Sequence, residues 1–135
     1  MCRVSIPLTI AAAGECAHTL PEGTAVRTYT AKVEQEGARL LVSLASPSVE
    51  RVVFGGRVEP SRVTFQIYGP SHSEEEPPFQ DPISASRTLA VAGRVSAPLS
   101  STGLDGMLEG RFHVFEAGAL IATCVSAGHR FVMDR

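Results

Sequence analysis

The stretch LDGMLEGRFHV (104–114) decides the fold class of this chain. An apolar residue or glycine occupies every second position along it, in the order Leu104, Gly106, Leu108, Gly110, Phe112 and Val114. The positions between them include the charged residues Asp105, Glu109 and Arg111. Alternation with a period of two is typical of a β-strand with one dry face and one wet face. The stretch therefore predicts a long strand in a sheet that covers an apolar core.

The same alternation recurs along most of the chain. It predicts further strands at 4–13, 27–35, 40–44, 52–58, 63–67, 89–97, 120–125 and 129–133, and Ser126-Ala127-Gly128 predicts a turn before the last strand. No stretch shows a convincing 3.6-residue period, and the short links favour an antiparallel arrangement. We therefore predict an all-β fold, a single antiparallel meander of eight or nine strands. It is expected to close into an up-and-down barrel, with a β-sandwich as the alternative.

Length and charge define the domain organisation and exclude some partners. The 135 residues fit one domain, 1–135, with an N-terminal strand and turn at 1–23 and a long acidic, proline-rich loop at 69–86. The formal net charge of −2 and the dispersed arginines argue against binding to nucleic acid or anionic membranes. No apolar run approaches the roughly 20 residues of a transmembrane helix.

Two adjacent glycines, Gly55 and Gly56, lie within the predicted strand 52–58. Glycine weakens a strand interior, and it is frequent where a barrel strand bulges or bends sharply. We therefore predict a bulge or a corner at this point.

Four short stretches carry a resemblance to known proteins. They are RTYTA (27–31) leading to QEG (35–37), LAVAG (89–93), LDGMLEG (104–110), and Cys124 followed by HRF (129–131) near Arg135. Together they resemble uncharacterised bacterial secreted or lipoprotein β-domains, which are similar to calycin (lipocalin-like) barrels. The resemblance implies a closed barrel in an exported protein, and it assigns no site residue.

Three cysteines, Cys2, Cys16 and Cys124, bear on the compartment. An odd number in an exported domain predicts one disulfide and one further thiol. Cys16 is expected to pair with Cys2 or with Cys124, and three reduced thiols in a cytoplasmic protein are the alternative. Cys2 is also a candidate lipid anchor. We therefore expect a periplasmic or extracellular protein, with a cytoplasmic location left open.

The apolar alternation defines a candidate ligand site inside the barrel. Its predicted lining is Tyr29, Val42, Phe54, Phe65, Ile67, Val91 and Phe112. An eight-stranded barrel is just wide enough to hold one small ligand. We predict a non-catalytic protein that binds an apolar or amphipathic small molecule and needs no cofactor. The alternative is an interaction or structural module of the cell envelope, which would include a homo-oligomer.

A third hypothesis is a small barrel enzyme, an isomerase, cyclase or hydrolase. Asp105, Glu109, Arg111 and His113 alternate along strand 104–115 and would offer acid and base groups if they faced the barrel interior. We favour a surface position, because the opposite face of this strand is continuously apolar or glycine.

Metal and thiol chemistry receive little support from the sequence. The four histidines, His18, His72, His113 and His129, lack the spacing of common metal motifs, so no metal site is predicted. The acidic residues of loop 69–86 match no calcium loop. Cys124 and His129 are close in sequence, but alternation places Cys124 on an apolar face, where a thiol is inert.

Overall fold

The computed structural model describes residues 2–12, 16, 26–46, 49–69, 77, 80–100 and 103–134. Nine strands follow one another along these residues. Their bounds are β1 Cys2–Ala11, β2 Val26–Glu36, β3 Arg39–Ser46, β4 Val49–Val58, β5 Arg62–Ile67, β6 Asp81–Pro82, β7 Arg87–Pro98, β8 Gly103–Glu116 and β9 Ala119–Asp134.

The strands form one antiparallel sheet that closes on itself. Strands β1 to β5 pair in sequence order, as do β7, β8 and β9. β9 returns to β1, and β5 pairs with β7, so that eight strands complete the barrel while β6 pairs with β7 as an extra strand. The predicted all-β, up-and-down meander is confirmed, and the barrel replaces the alternative of a β-sandwich.

Two segments differ from the sequence prediction. Residues 126–128 do not form a turn, because β9 runs without interruption and its register with β8 shifts between Leu108 and Gly110. One extra residue in β9 is accommodated there as a bulge. In the predicted loop 69–86, Asp81–Pro82 forms β6. The rest of that loop at 70–76, 78 and 79, and the predicted turn before residue 23, lie outside the described residues.

The interior of the barrel is lined by large apolar side chains from all eight barrel strands. Phe65 lies near its centre, with ring centroids 5.9 Å from Phe54 and 5.5 Å from Phe131. Burial of each such side chain stabilises the fold by roughly 1.5–3 kcal/mol. The apolar residues of the alternating pattern therefore form the core.

Gly55 and Gly56 do not produce the predicted bulge. The ladder between β4 and β5 continues through both residues, with Gly55 opposite Gln66 and Gly56 opposite Phe65. A Cβ on Gly56 would overlap the Phe65 ring and would lie 2.6 Å from the Thr64 carbonyl oxygen. The absence of a side chain at Gly56 is therefore what allows Phe65 to pack against the backbone of β4.

This contact gives a stability prediction with a matched control. We expect Gly56→Ala to lower the free energy of unfolding by about 1–3 kcal/mol, because the added methyl group overpacks the core. Gly55→Ala should be neutral or stabilising, since its Cβ would meet only the Leu40 carbonyl oxygen at 3.8 Å. Urea unfolding measures both variants, and equal stabilities would contradict this account of Gly56.

Candidate functional site

The seven residues predicted to line a ligand site all lie inside the barrel. Tyr29, Val42, Phe54, Phe65, Ile67, Val91 and Phe112 are at most 3% exposed. A side chain that water cannot touch borders neither the solvent nor an internal cavity large enough to hold water. These side chains therefore pack against their neighbours, and in this conformation no water-sized space borders them.

A buried histidine completes this packed interior. His129 is fully buried, its ring centroid lies 4.6 Å from that of Phe112, and its Nε2 lies 3.2 Å from the Gly110 carbonyl oxygen. Burial lowers the pKa of His129 below its usual value, so the ring is neutral near pH 7. The sequence does not predict His129 as a core residue. Its alternation with Phe131 and Met133 was the signal that it faces the core.

A cluster of polar side chains lies at the end of the barrel where β2 begins. Asp81 is fully buried, and its Oδ2 accepts hydrogen bonds from Arg27 Nε at 2.6 Å and from the Tyr29 hydroxyl at 3.1 Å. Burial and the Asp81 carboxylate raise the pKa of Tyr29, and the hydrogen bond to Asp81 raises that of Arg27. The three side chains thus form a paired, hydrogen-bonded group at one end of an apolar interior.

Sequence reasoning did not identify this cluster. Tyr29 was predicted as an interior residue, but Asp81 was assigned to a solvated loop, and it is separated from Arg27 by 54 positions and from Tyr29 by 52. Alternation with Tyr29 was the one signal that Arg27 points inward. No local pattern shows that residue 81 folds back onto β2.

The four residues of the enzyme hypothesis lie on the outer face of β8 and do not converge. Asp105 and His113 are about 26 Å apart along the strand. Asp105 accepts hydrogen bonds from Arg130 in an exposed ion pair, with Oδ2 2.6 Å from the guanidinium, and these bonds lower its pKa. Glu109 is exposed, and Arg111 is partly buried. His113 is 3% exposed, although its face was expected to be wet, and its Nδ1 lies 3.0 Å from Thr123 Oγ1.

A disulfide joins Cys16 to Cys124, with their Cα atoms 5.6 Å apart. It corresponds to one of the two pairings that the sequence left open. Cys124 is therefore not a free thiol, and the dyad with His129 is ruled out. The side chain of Cys2 lies outside the described residues, so its role as a lipid anchor stays a prediction.

The outer wall of the barrel carries a groove of about 400 Å³ where β5, β7, β8 and β9 lie side by side. We call it the outer groove, and its polar lining includes Gln66, Arg94 and Glu109. The strand register places Gln66 opposite Arg94 and Arg94 opposite Glu109. Met107, which is 60% exposed, lines the same groove.

Exposed apolar side chains continue from this groove along β9. We call this set the apolar stripe, and its members are Met107, Leu120, Ile121, Val125 and Ala127. The exposed fraction is 62% for Val125, 55% for Leu120 and 47% for Ile121. No charged residue occurs between Ala119 and Gly128. Several exposed apolar side chains near one another are a candidate interaction surface, whereas single exposed residues such as Leu41 are ordinary.

Metal-binding groups and membrane-spanning helices are two further features to consider among the described residues. No group of three or more His, Cys, Asp or Glu side chains there is arranged to hold a metal ion. The described part of the chain also contains no helix with the length and apolar character needed to cross a membrane. His18, His72 and the acidic residues Glu74, Glu75 and Glu76 lie outside the described residues.

The buried carboxylate gives a second stability prediction. We expect Asp81→Ala to lower the free energy of unfolding by about 2–4 kcal/mol, because it removes the acceptor of the hydrogen bonds from Arg27 and Tyr29 at a buried position. Glu116→Ala is the control, since it removes an ion pair with Arg87 in which both side chains are more than 40% exposed. That variant should change stability by less than about 1 kcal/mol. Thermal and urea unfolding provide the comparison, and a similar loss in both variants would contradict the role given to Asp81.

Comparison with known proteins adds no further assignment. No protein family profile, no curated protein and no solved structure matches this chain. The candidate site is therefore defined by the geometry of the chain itself.

Proposed function

We propose that this protein is a non-catalytic interaction module that binds a protein partner through the outer wall of β8 and β9. The observation that carries the proposal is a contrast between the two faces of the barrel wall. The predicted ligand-lining residues inside are packed and at most 3% exposed, whereas Met107 and Val125 outside are each at least 60% exposed. Binding at the outer wall requires no rearrangement of the core.

The position of β9 supports this proposal. Among the described residues, β9 pairs with β1 from Arg130 to Met133 and continues from there to Ala119. The side chains from Ala119 to Thr123 are all exposed, and no charged residue occurs between Ala119 and Gly128. A partner that covers this segment would remove apolar surface from water, which favours association.

The proposed location is outside the cytoplasm. The Cys16–Cys124 disulfide supports it, because disulfides persist in oxidising compartments. Attachment through Cys2 would place the outer wall at the surface of the cell envelope. An interaction module of the envelope is thus consistent with both cysteine features.

A second candidate function is the binding of an amphipathic small molecule inside the barrel. The observation that favours it is the polar cluster of Arg27, Tyr29 and Asp81 at one end of an apolar interior. A ligand would have to displace packed side chains such as Phe65 and Phe112, since both are at most 1% exposed. This requirement makes it the weaker of the two proposals.

Native mass spectrometry tests the second candidate. If the interior binds a ligand, protein purified under mild conditions should carry a mass increment, or should acquire one with a long-chain carboxylate added in excess. Phe65→Ala should then bind more, because removal of the ring opens space in the interior. Unliganded protein in all of these samples would contradict interior binding.

Site-specific photo-crosslinking tests the interaction module. We expect a photoreactive residue at Val125, introduced in cells that naturally make the protein, to give a crosslinked product of defined mass. Leu41 on β3 is the control position, since it is also apolar and is 39% exposed. The product should be absent there, because Leu41 lies outside the apolar stripe.

Mass spectrometry of the crosslinked product identifies the partner. A discrete product from Val125 alone supports the module, whether the second component is another protein or a second copy of the chain. The same products from both positions, or none from either, would contradict it.

A further inference from the structure

The outer groove contains two opposite charges that are neighbours but are not paired. Arg94 on β7 and Glu109 on β8 occupy opposing positions of the ladder, so their side chains leave the same face of the sheet. Neither of the two side chains forms a hydrogen bond or an ion pair within the described part of the chain. By contrast, Asp105 and Arg130 on the same wall are joined by two hydrogen bonds. The groove therefore holds one cation and one anion that are available to another molecule.

These charges lie beside an apolar contact point. Met107 lines the groove and is 60% exposed, and its Cε lies 3.6 Å from the position that a Cβ on Gly128 would occupy. Met107 pairs with Arg130 and lines the groove together with Ala127. Interfaces are enriched in methionine and arginine, and their apolar centre is surrounded by polar groups. The outer groove has this arrangement.

A surface with adjacent opposite charges around an apolar centre is complementary to itself. A two-fold axis that runs between the two charges brings Arg94 of one copy to Glu109 of the other, and Glu109 of the first copy to Arg94 of the second. The two copies then form two intermolecular ion pairs. A strongly acidic or basic partner would be repelled by one of the two charges. The net charge of −2 leaves only weak long-range repulsion between copies.

We infer that the partner of the outer groove is a second copy of this chain, bound about a two-fold axis near Met107, with Arg94 of each copy paired to Glu109 of the other. This inference rests on the proposed function and names its partner. Met107 of both copies forms the apolar centre of the contact, because it lies on β8 beside this axis.

Charge reversal tests the inference. Sedimentation velocity and light scattering of the full chain should give a concentration-dependent dimer of twice 14.3 kDa. Arg94→Glu and Glu109→Arg should each raise the dimer dissociation constant at least tenfold, because each places like charges together at two points. The double variant should restore dimerisation to within a few-fold of the original chain, since it exchanges the two charges without losing a pair.

The matched control is a second cross-strand pair of the same kind. Glu36 and Arg39 oppose each other on the β2–β3 hairpin, both are exposed, and neither lines the outer groove. Glu36→Arg and Arg39→Glu should leave the dissociation constant unchanged. Thermal unfolding of every variant shows whether the fold is intact, which is expected because all four positions are exposed.

The outcomes separate this inference from the function on which it rests. A chain that stays monomeric at millimolar concentration, or a dimer that the charge reversals do not weaken, would overturn the inference. If crosslinking from Val125 then identifies a different protein, the interaction module stands and only the identity of its partner was wrong. Weaker dimerisation in each single variant, together with recovery of dimerisation in the double variant, supports the two-fold dimer.

Discussion

The structure depends on one strand pairing, that of β5 with β7. Six residue pairs, from Arg62–Pro98 to Ile67–Gly93, join the two ends of the sheet. Without them β5 and β7 would be open edges, and the sheet would not close into a barrel. The closed barrel has eight strands. A barrel of this size has an interior just wide enough for side chains to fill. The packed interior follows from this closure together with the large residues on the inner face.

A closed and filled interior restricts where polar groups can lie. Asp81 and His129 are both fully buried, and each is accommodated by a hydrogen-bonding partner. Asp81 forms an ion pair with Arg27, whose side chain remains 23% exposed, so the pair is partly solvated. Such a pair contributes little to net stability, because desolvation offsets much of its Coulomb energy. Its structural effect is to hold β6 against β2 across the end of the barrel.

The sequence predicted the fold better than it predicted the candidate site. Alternation on strand 104–114 predicted a long strand and identified its apolar face, because burial of one face imposes a two-residue period on a strand. The bulge at Ser126-Ala127-Gly128 was mistaken for a turn, since both use small residues. The opposing positions of Arg94 and Glu109 depend on the register between two strands, and the ion pair of Arg27 with Asp81 depends on a chain reversal. Neither leaves a local pattern in the sequence.

The two faces of β8 stabilise the molecule under different conditions. Leu108 and Phe112 contribute through burial, which is complete as soon as the barrel closes. Arg94 and Glu109, on the other side of the β7–β8 ladder, remain in water, where a pair of exposed charges contributes at most about 1 kcal/mol. Their attraction to an opposing surface increases only when contact excludes water from the outer groove, because the effective dielectric constant then falls. Arg94 and Glu109 therefore have little influence on folding, and it is in the proposed complex that they would contribute most of their energy.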